Sequence, residues 1–587
     1  MILQALVDYY ETLKVAGSLP APGWDSVKVS YGLSLGAGGE LKQVVSLQVP
    51  SAQGKVLPQT LEGLPAPVKR SSGTVPNFLC DNSGYLLGVD NKGNPQRSLK
   101  CFAAAKELHQ RLLEKLNSPA AKAIFAFFQT WNPENAPEHP ALQEKWEDIL
   151  SGGNLVFLVN NCYAQEDPEI RRAWEREFAS NGEGPLGFCM VTGTEAHLER
   201  IHPVIKKVTG AHTAGAALVS FNAPAFCSYG KEQNLNAPMG KYAAVAYTTA
   251  LNYLLSHRDQ VFRLGDATVV CWAKGGGDAY QKFFASATFG QTSYSGEDLF
   301  QMLHSLSVGK PVVFQEEKLD PAMDFYILGI SPNAARLSVR FFLHNTFGAI
   351  LQNVERHYRR LEIVRPSYDK FVFLPVWKLL EETVNKNARD KSPSPQLAGE
   401  TLRAILLDTP YPATLLNGII LRIRAEKRIT RGRAAILKAY YLKLQEIHGR
   451  ETPAIPEEVL QVKLNSEATH IPYTLGRLFA TLESLQQAAN PGLNATILDR
   501  YFNAASATPA LIFPVLLNLA QKHLKKLRRD NRGLAVYYDQ EITTLCTRLG
   551  NVAFPARLNL PEQGSFQLGY YQQKQARYET KEEKSNG

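Results

Sequence analysis

Apolar residues recur at helical spacing most plainly between Tyr473 and Arg532. Leu475, Leu478, Phe479, Leu482 and Leu485 fall at i, i+3, i+4, i+7 and i+10, one stripe down one helix face. Asn490-Pro491-Gly492 breaks that helix. Ile497, Leu498, Tyr501, Phe502 and Ala505 repeat the pattern, and Phe513, Leu516, Leu517, Ala520, Leu524 and Leu527 repeat it again. Three amphipathic helices are predicted here, closing a small bundle.

Upstream the period changes. Residues 2–13 place Leu3, Leu6, Val7, Tyr10 and Leu13 on one helical face. The stretch 27–49 alternates apolar and polar around Gly36-Ala37-Gly38-Gly39 and predicts a β-hairpin. From Pro50 to Arg97 the chain reads as an irregular segment, ordered by Phe78, Leu79, Tyr85, Leu86 and Leu87. Helices are predicted over 99–116, 120–131, 140–150 and 168–179, and short strands over 155–160, 187–193 and 268–273. Residues 217–256 are read as a strand, a polar loop from Ser228 to Lys241, and a helix. A hairpin is predicted over 325–342 with its turn at Ser331-Pro332-Asn333. Leu337, Val339 and Phe341 face one side of it; Arg336, Ser338 and Arg340 face the other. A helix follows with Phe347, Ile350, Leu351, Val354, Tyr358 and Leu361 inward.

The expected fold class is α+β: a mixed α/β N-terminal domain over 1–384, then an all-α C-terminal helical bundle. A polar Ser/Pro linker at 385–400 separates them. A basic helical connector over 401–465 leads to the bundle at 466–573, and a charged, flexible tail at 574–587 ends the chain.

Charge adds a direction. The formal net charge is +9 over 587 residues, with uneven distribution. Residues 401–450 hold ten Lys/Arg against three acids, a net of +7. Within them Arg422, Arg424, Lys427, Arg428, Arg431 and Arg433 crowd one stretch. Arg424, Lys427, Arg428 and Arg431 would share one helical face, where like charges repel unless an anion neutralises them. A solvated face is the plain alternative, but Glu426 alone cannot balance six cations. A second cluster, Lys522, Lys525, Lys526, Arg528 and Arg529, ends the third bundle helix. Such clustering points to a polyanion, nucleic acid before membrane.

Chemical motifs are sparse. The seven cysteines form no CxxC pair and suggest neither a disulfide framework nor a zinc site. No apolar run approaches the roughly 20 residues a bilayer requires. Walker A, GxSxG, HExxH and dinucleotide signatures are absent. His197 and His202 do not share a helix face. Glu316-Glu317-Lys318, with Asp298 upstream, offers the E-x-K fragment of some metal-dependent nucleases, but a solvated turn between two strands is the commoner meaning. No catalytic residue, metal ligand or cofactor is assigned.

Two loops remain. Lys231, Gln233, Asn234 and Asn236 could satisfy donor and acceptor patterns on base edges, or merely cap their own turn. Lys69, Arg70 and Ser72, before Gly73, could bring backbone close to a ligand.

Taken with those loops, the segments SFNAPAFCSYGKEQNLNAP, FYILGISPNAARLSVRFF, LLNGIILRIRAEKRITRGRAAILKAYYLK and EQGSFQLGYYQQ make the chain resemble the large subunit of the type I-C CRISPR surveillance complex, Cascade. The resemblance spans nearly the whole chain. It implies a cytoplasmic, prokaryotic, non-catalytic protein. Its partners would be CRISPR RNA, double-stranded target DNA, the displaced single strand, the Cascade backbone, RNA-end-binding and small subunits, and a helicase-nuclease recruited later. It also implies recognition of a protospacer-adjacent motif (PAM). Related subunits place a Lys, a Gly-rich loop and a Gln-type wedge at the minor groove. By chemistry, Lys69, Arg70, Ser72, Lys231, Gln233, Asn234 and Asn236 are the PAM candidates. Arg336, Arg340, Arg422, Arg424, Lys427, Arg428, Arg431, Arg433, Lys522, Lys525, Lys526, Arg528 and Arg529 are the phosphate candidates. A metal-dependent nuclease and a stand-alone nucleic-acid-binding protein are the alternatives. The resemblance further implies a small subunit translated from within the same gene. No Met follows Met323, so an internal start near Val459, Leu460 or Val462 would need a non-ATG codon.

Overall fold

The computed structural model describes every residue except 1, 51–55, 69–72, 181–183, 258–259, 265, 276, 291–293, 390, 450–453, 551–552 and 586–587. It is a mixture of helices and several small sheets, α+β in class, with helices dominating the C-terminal half. The chain forms two compact units: Met1–Ile205 with Ala217–Asn252, and Lys206–Ala216 with Tyr253–Gly587.

The first unit is built on a five-stranded sheet. Tyr31–Leu35 and Leu155–Val159 pair in parallel at its centre, and both are buried along their whole length. Leu41–Ser46 completes the predicted hairpin, with Gly39 at φ +85° in its turn. Cys80–Asp81 and Cys162–Tyr163 flank Leu155–Val159. Helices Pro95–Leu113, Pro119–Thr130 and Pro168–Ser180 surround an aromatic centre in which Phe78 stacks on Trp174 at 5.4 Å and His109 on Phe128 at 4.5 Å. His109 is wholly enclosed, and burial lowers its pKa to about 4.

Three readings of this unit are corrected. The segment after Pro50 contains a ten-residue strand, Val56–Pro65, central to a three-stranded sheet with Trp24–Val29 and Gln48–Pro50. Its prolines hid it, yet Pro58 lies where only Gln48–Pro50 pairs and Pro65 lies at the end. The strand at 187–193 is only Leu186–Phe188, because Gly193 at φ +69° closes a tight turn onto Cys189. The expected strand at 217 is no strand; a short 3-10 turn, Pro224–Phe226, precedes the polar loop, and the helix Lys241–Ser256 follows.

The second unit holds a four-stranded antiparallel sheet, ordered Phe262–Leu264, Ala267–Ala273, Asp324–Asn333 and Arg336–Thr346. The hairpin turn is Ala334-Ala335, beyond the expected Ser331–Asn333, with Ala334 at φ +53°. A bulge at Gly329/Ile330 shifts the register, which leaves Val339 exposed while Leu337 and Phe341 stay buried. The helix Phe347–Leu361 packs beneath, as its apolar spacing predicted.

One continuous core runs from this sheet to the C-terminal helices. Across it, Arg360 pairs with Asp408 and Glu446 at 2.7 Å each, and Lys443 pairs with Asp408 at 2.9 Å. Residues 385–389 and 391–394 carry no regular structure, and the next helix starts at Pro395, within the stretch read as a linker. Helices Ile471–Ala489, Ile497–Ala507 and Pro509–Asp530 are the three expected ones, joined by Arg532–Leu549 and by Leu560–Ser585, which runs on into the tail. Phe479, Phe502, Phe566 and Tyr570 meet at their centre, ring to ring at 5.6–6.0 Å. Thr496 and Asp499 form a capping box that starts the middle helix.

Candidate nucleic-acid interface

The polar loop of the first unit is a built turn. Asn236 works from inside: its amide donates to the carbonyls of Lys231 at 3.1 Å and Gln233 at 2.9 Å, and its oxygen accepts the Ser228 N–H at 2.8 Å. Asn234 is buried. Of the four predicted PAM contacts in this loop, these two therefore shape it, as the capping alternative requires. Lys231 and Gln233 are exposed.

Tyr229, not singled out from the sequence, is 99% exposed at the tip. Tyr229, Gly230 and Gln233 have φ of +56°, +66° and +48°. Left-handed backbone at non-glycine residues costs energy that a plain connection would avoid. Arg200 pairs with Glu232 at 3.0 Å and braces one side. The result is a braced tip presenting an aromatic ring, an amine and an amide together. The Ser-Tyr-Gly-Lys turn signal was visible in the sequence; the exposure of its ring was not. Lys69, Arg70 and Ser72 lie outside the described residues.

The 421–433 stretch differs from its reading. No continuous helical face exists. The helix Ala413–Glu426 ends at Lys427, which is left-handed at φ +52°, and a new helix, Arg431–His448, begins behind the Thr430 cap. Thr430 ahead of an apolar run was the available signal for that start.

The corner turns most of its cations onto the protein itself. Arg433 is 1% exposed, with Glu426 at 2.6 Å, Glu382 at 3.3 Å and the Arg428 carbonyl at 2.9 Å. Arg431 reaches Asp369 at 3.1 Å and the backbone carbonyls of Phe371 and Val372. Lys427 donates to the Asp499 carbonyl, Arg424 to Gln563 at 2.8 Å, and Arg422 lies 3.8 Å from Glu426. The Arg428 side chain is exposed and has no partner among the described residues.

The end of Pro509–Asp530 is the opposite case. Lys526 donates to Asn490 at 2.7 Å and Arg528 pairs with Asp539 at 2.7 Å. Lys522, Lys525 and Arg529 are exposed with no partner among the described residues, and their spacing puts them on one outer face. On the sheet, Arg340 pairs with Asp266 at 2.7 Å, and Arg336 is partly buried and engaged.

The nuclease fragment takes ordinary structural work. Gln315-Glu316 is the turn between the strands Val312–Phe314 and Glu317–Leu319. Asp298 accepts the Ser295 hydroxyl at 2.7 Å at a helix start. Among the described residues no group of three or more His, Cys, Asp or Glu could hold a metal ion, and no helix is long and apolar enough to cross a membrane.

No curated protein matches the chain. A family model does, that of the CRISPR-associated protein Cas_Csd1, over residues 6–578. The match covers nearly the whole chain, and the chain therefore belongs to the Cas_Csd1 family of CRISPR-associated proteins.

Proposed function

We propose that the chain is the large subunit of a type I-C RNA-guided surveillance complex. It acts without catalysing a reaction: it reads the PAM on duplex DNA, aids opening, holds the displaced strand and serves as platform for the helicase-nuclease. The observation that carries this reading is the braced Tyr229–Gln233 tip, which offers Lys231 and Gln233 outward on a backbone fixed from within by Asn236. Few, fixed polar groups suit a short motif, while base pairing reads the remaining sequence. Lys522, Lys525 and Arg529, unpaired among the described residues, supply a salt-dependent, sequence-independent contact.

A gel shift of the assembled complex on duplexes with and without the PAM tests it. Lys231→Ala or Gln233→Ala relaxes the preference by about tenfold or more while overall binding persists. An intact preference in both variants overturns the placement of the reader. Co-purification with CRISPR RNA and repeated backbone subunits separates this reading from a stand-alone nucleic-acid-binding protein.

The same reading includes a separate small subunit starting near Val459–Val462. Its support is the aromatic centre of Phe479, Phe502, Phe566 and Tyr570, supplied entirely from within that segment. Mass spectrometry of the purified complex that finds no fragment of this kind removes it.

A further inference from the structure

Residues 362–378 of the second unit hold aromatic rings in water on a backbone fixed from below. Tyr368 is 81% exposed, and Phe371 and Trp377 are exposed as well. Phe371 and Trp377 meet edge to face with centroids 6.0 Å apart. Lys378 Nζ lies 5.6 Å from the first ring centre and 5.4 Å from the second. Tyr368 precedes Phe371 by three residues, so their backbones are at most about 11 Å apart. Arg365 and Lys370 are exposed in the same stretch, without partners among the described residues.

Loose packing does not account for this exposure. Phe373 of the same stretch turns inward, 4.8 Å from Tyr358. Arg431, only 9% exposed, donates to Asp369 Oδ2 at 3.1 Å, to the Val372 carbonyl at 2.9 Å and to the Phe371 carbonyl. Asp369 Oδ1 accepts the Phe371 N–H at 3.0 Å. The Trp377 indole N–H donates to the Phe289 carbonyl at 3.1 Å, and Val364 N–H donates to the Val462 carbonyl at 2.9 Å. Arg431 also neutralises Asp369, and Lys378 pairs with Glu381 at 3.2 Å, so Arg365 and Lys370 are the cations of this stretch with no partner among the described residues, beside one exposed acid, Glu362. Apolar rings exposed together and interleaved with cations mark a binding surface.

We propose that Tyr368, Phe371 and Trp377 form a stacking platform for single-stranded nucleic acid, with Arg365 and Lys370 meeting its phosphates. Bases offer their faces only when unpaired, and aromatic side chains accept any base. Duplex DNA hides those faces, so the platform selects single strands without reading sequence. Arg431 is its positioning residue. That the strand is the one displaced from target DNA rests on the function proposed above; the binding itself does not.

The test is fluorescence anisotropy of the full chain with a labelled oligothymidylate and, separately, with a blunt duplex lacking a PAM. Tyr368→Ala and Phe371→Ala each weaken single-strand binding about fivefold to a hundredfold, and leave duplex binding unchanged. Tyr368→Phe, which keeps the ring, binds as the parent does. Lys370→Ala lowers the salt slope for the single strand by about 0.7. Thermal melts of the exposed-residue variants match the parent. A Tyr368→Ala, Phe371→Ala double variant that melts normally and keeps its single-strand affinity overturns the proposal, as does a parent chain that binds no oligothymidylate. So does a double variant that keeps that affinity and instead loses a protein subunit from the purified complex, which makes the patch a protein interface. PAM preference in the gel shift is a separate readout, so loss of one reading leaves the other standing.

Discussion

The 421–433 corner and the end of Pro509–Asp530 look alike as sequence and behave oppositely as structure. Both are dense in Lys and Arg. At the corner, five of the six cations lie against groups of the chain itself, and only Arg428 stands free among the described residues. On the outer helix, Lys522, Lys525 and Arg529 face solvent. The difference is one of local geometry. A turn between two helices exposes carbonyls and brings distant acids within reach, and guanidinium groups fill that need. A long uninterrupted helix satisfies its own backbone, so its outer cations stay available to an external anion. Charge density alone therefore does not locate a polyanion site; the absence of internal partners does.

Breaking the corner has the largest expected effect. Arg433→Ala leaves Glu382 buried without its counter-charge and costs about 3–5 kcal/mol of stability, seen as a lower denaturation midpoint. Single-strand binding per folded molecule stays unchanged. If Arg433→Ala instead folds normally and binds DNA less well, the contrast between the two regions fails.

Lys438 sharpens the contrast through pH. It is buried, its amine donating to the Arg360 carbonyl at 3.1 Å, and burial lowers its pKa to about 8, with Glu362 opposing. The unfolded chain binds the Lys438 proton more tightly than the folded chain does. Stability from this group is therefore fully present above pH 10.5, and lost as pH falls through about 8. The total is about 3 kcal/mol at up to about 1.4 kcal/mol per pH unit. Lys438→Met removes that slope from denaturant titrations, whereas Lys522→Met leaves it in place. Equal slopes in the parent and Lys438→Met contradict the burial argument.

How much of this was legible in the sequence follows the range of the forces involved. The stripe Leu475–Leu485 and the inward face of Phe347–Leu361 were readable because helical period is local. The strand Val56–Pro65 was not, because two prolines argue against strand unless the pairing partner of each position is known. Neither was the break at Lys427, where the usual glycine signal is missing and a contact to Asp499, 72 residues on, holds the left-handed residue. The same holds for the cations: Asp369, Glu382 and Gln563 lie far from 421–433 along the chain. In the polar loop the residue types were visible, but which amides cap and which project depended on Asn236 folding inward.

The free helix end gives a smaller, cleaner effect. A Lys522→Ala, Lys525→Ala, Arg529→Ala triple variant lowers the slope of log affinity against log salt by about 2 on single-stranded DNA. Its melting temperature stays that of the parent, because none of the three has a partner to lose among the described residues. An unchanged slope would show that this face meets no phosphate.

Arg424→Ala is the smallest and the most discriminating. Arg424 is exposed, yet its guanidinium donates to Gln563 at 2.8 Å, and its carbonyl accepts from Asn503 at 3.0 Å. The side chain thus helps seat the bundle on the corner without being enclosed. Loss of one exposed hydrogen bond costs about 1 kcal/mol or less, and Gln563→Ala reproduces it. The double variant costs no more than either single one, because both remove the same contact. The salt slope does not move. A slope that falls by about 0.7–0.9 in Arg424→Ala but not in Gln563→Ala would mean that the guanidinium leaves Gln563 for a phosphate when DNA arrives. The corner would then be a second cationic surface, held in reserve by its own internal contacts.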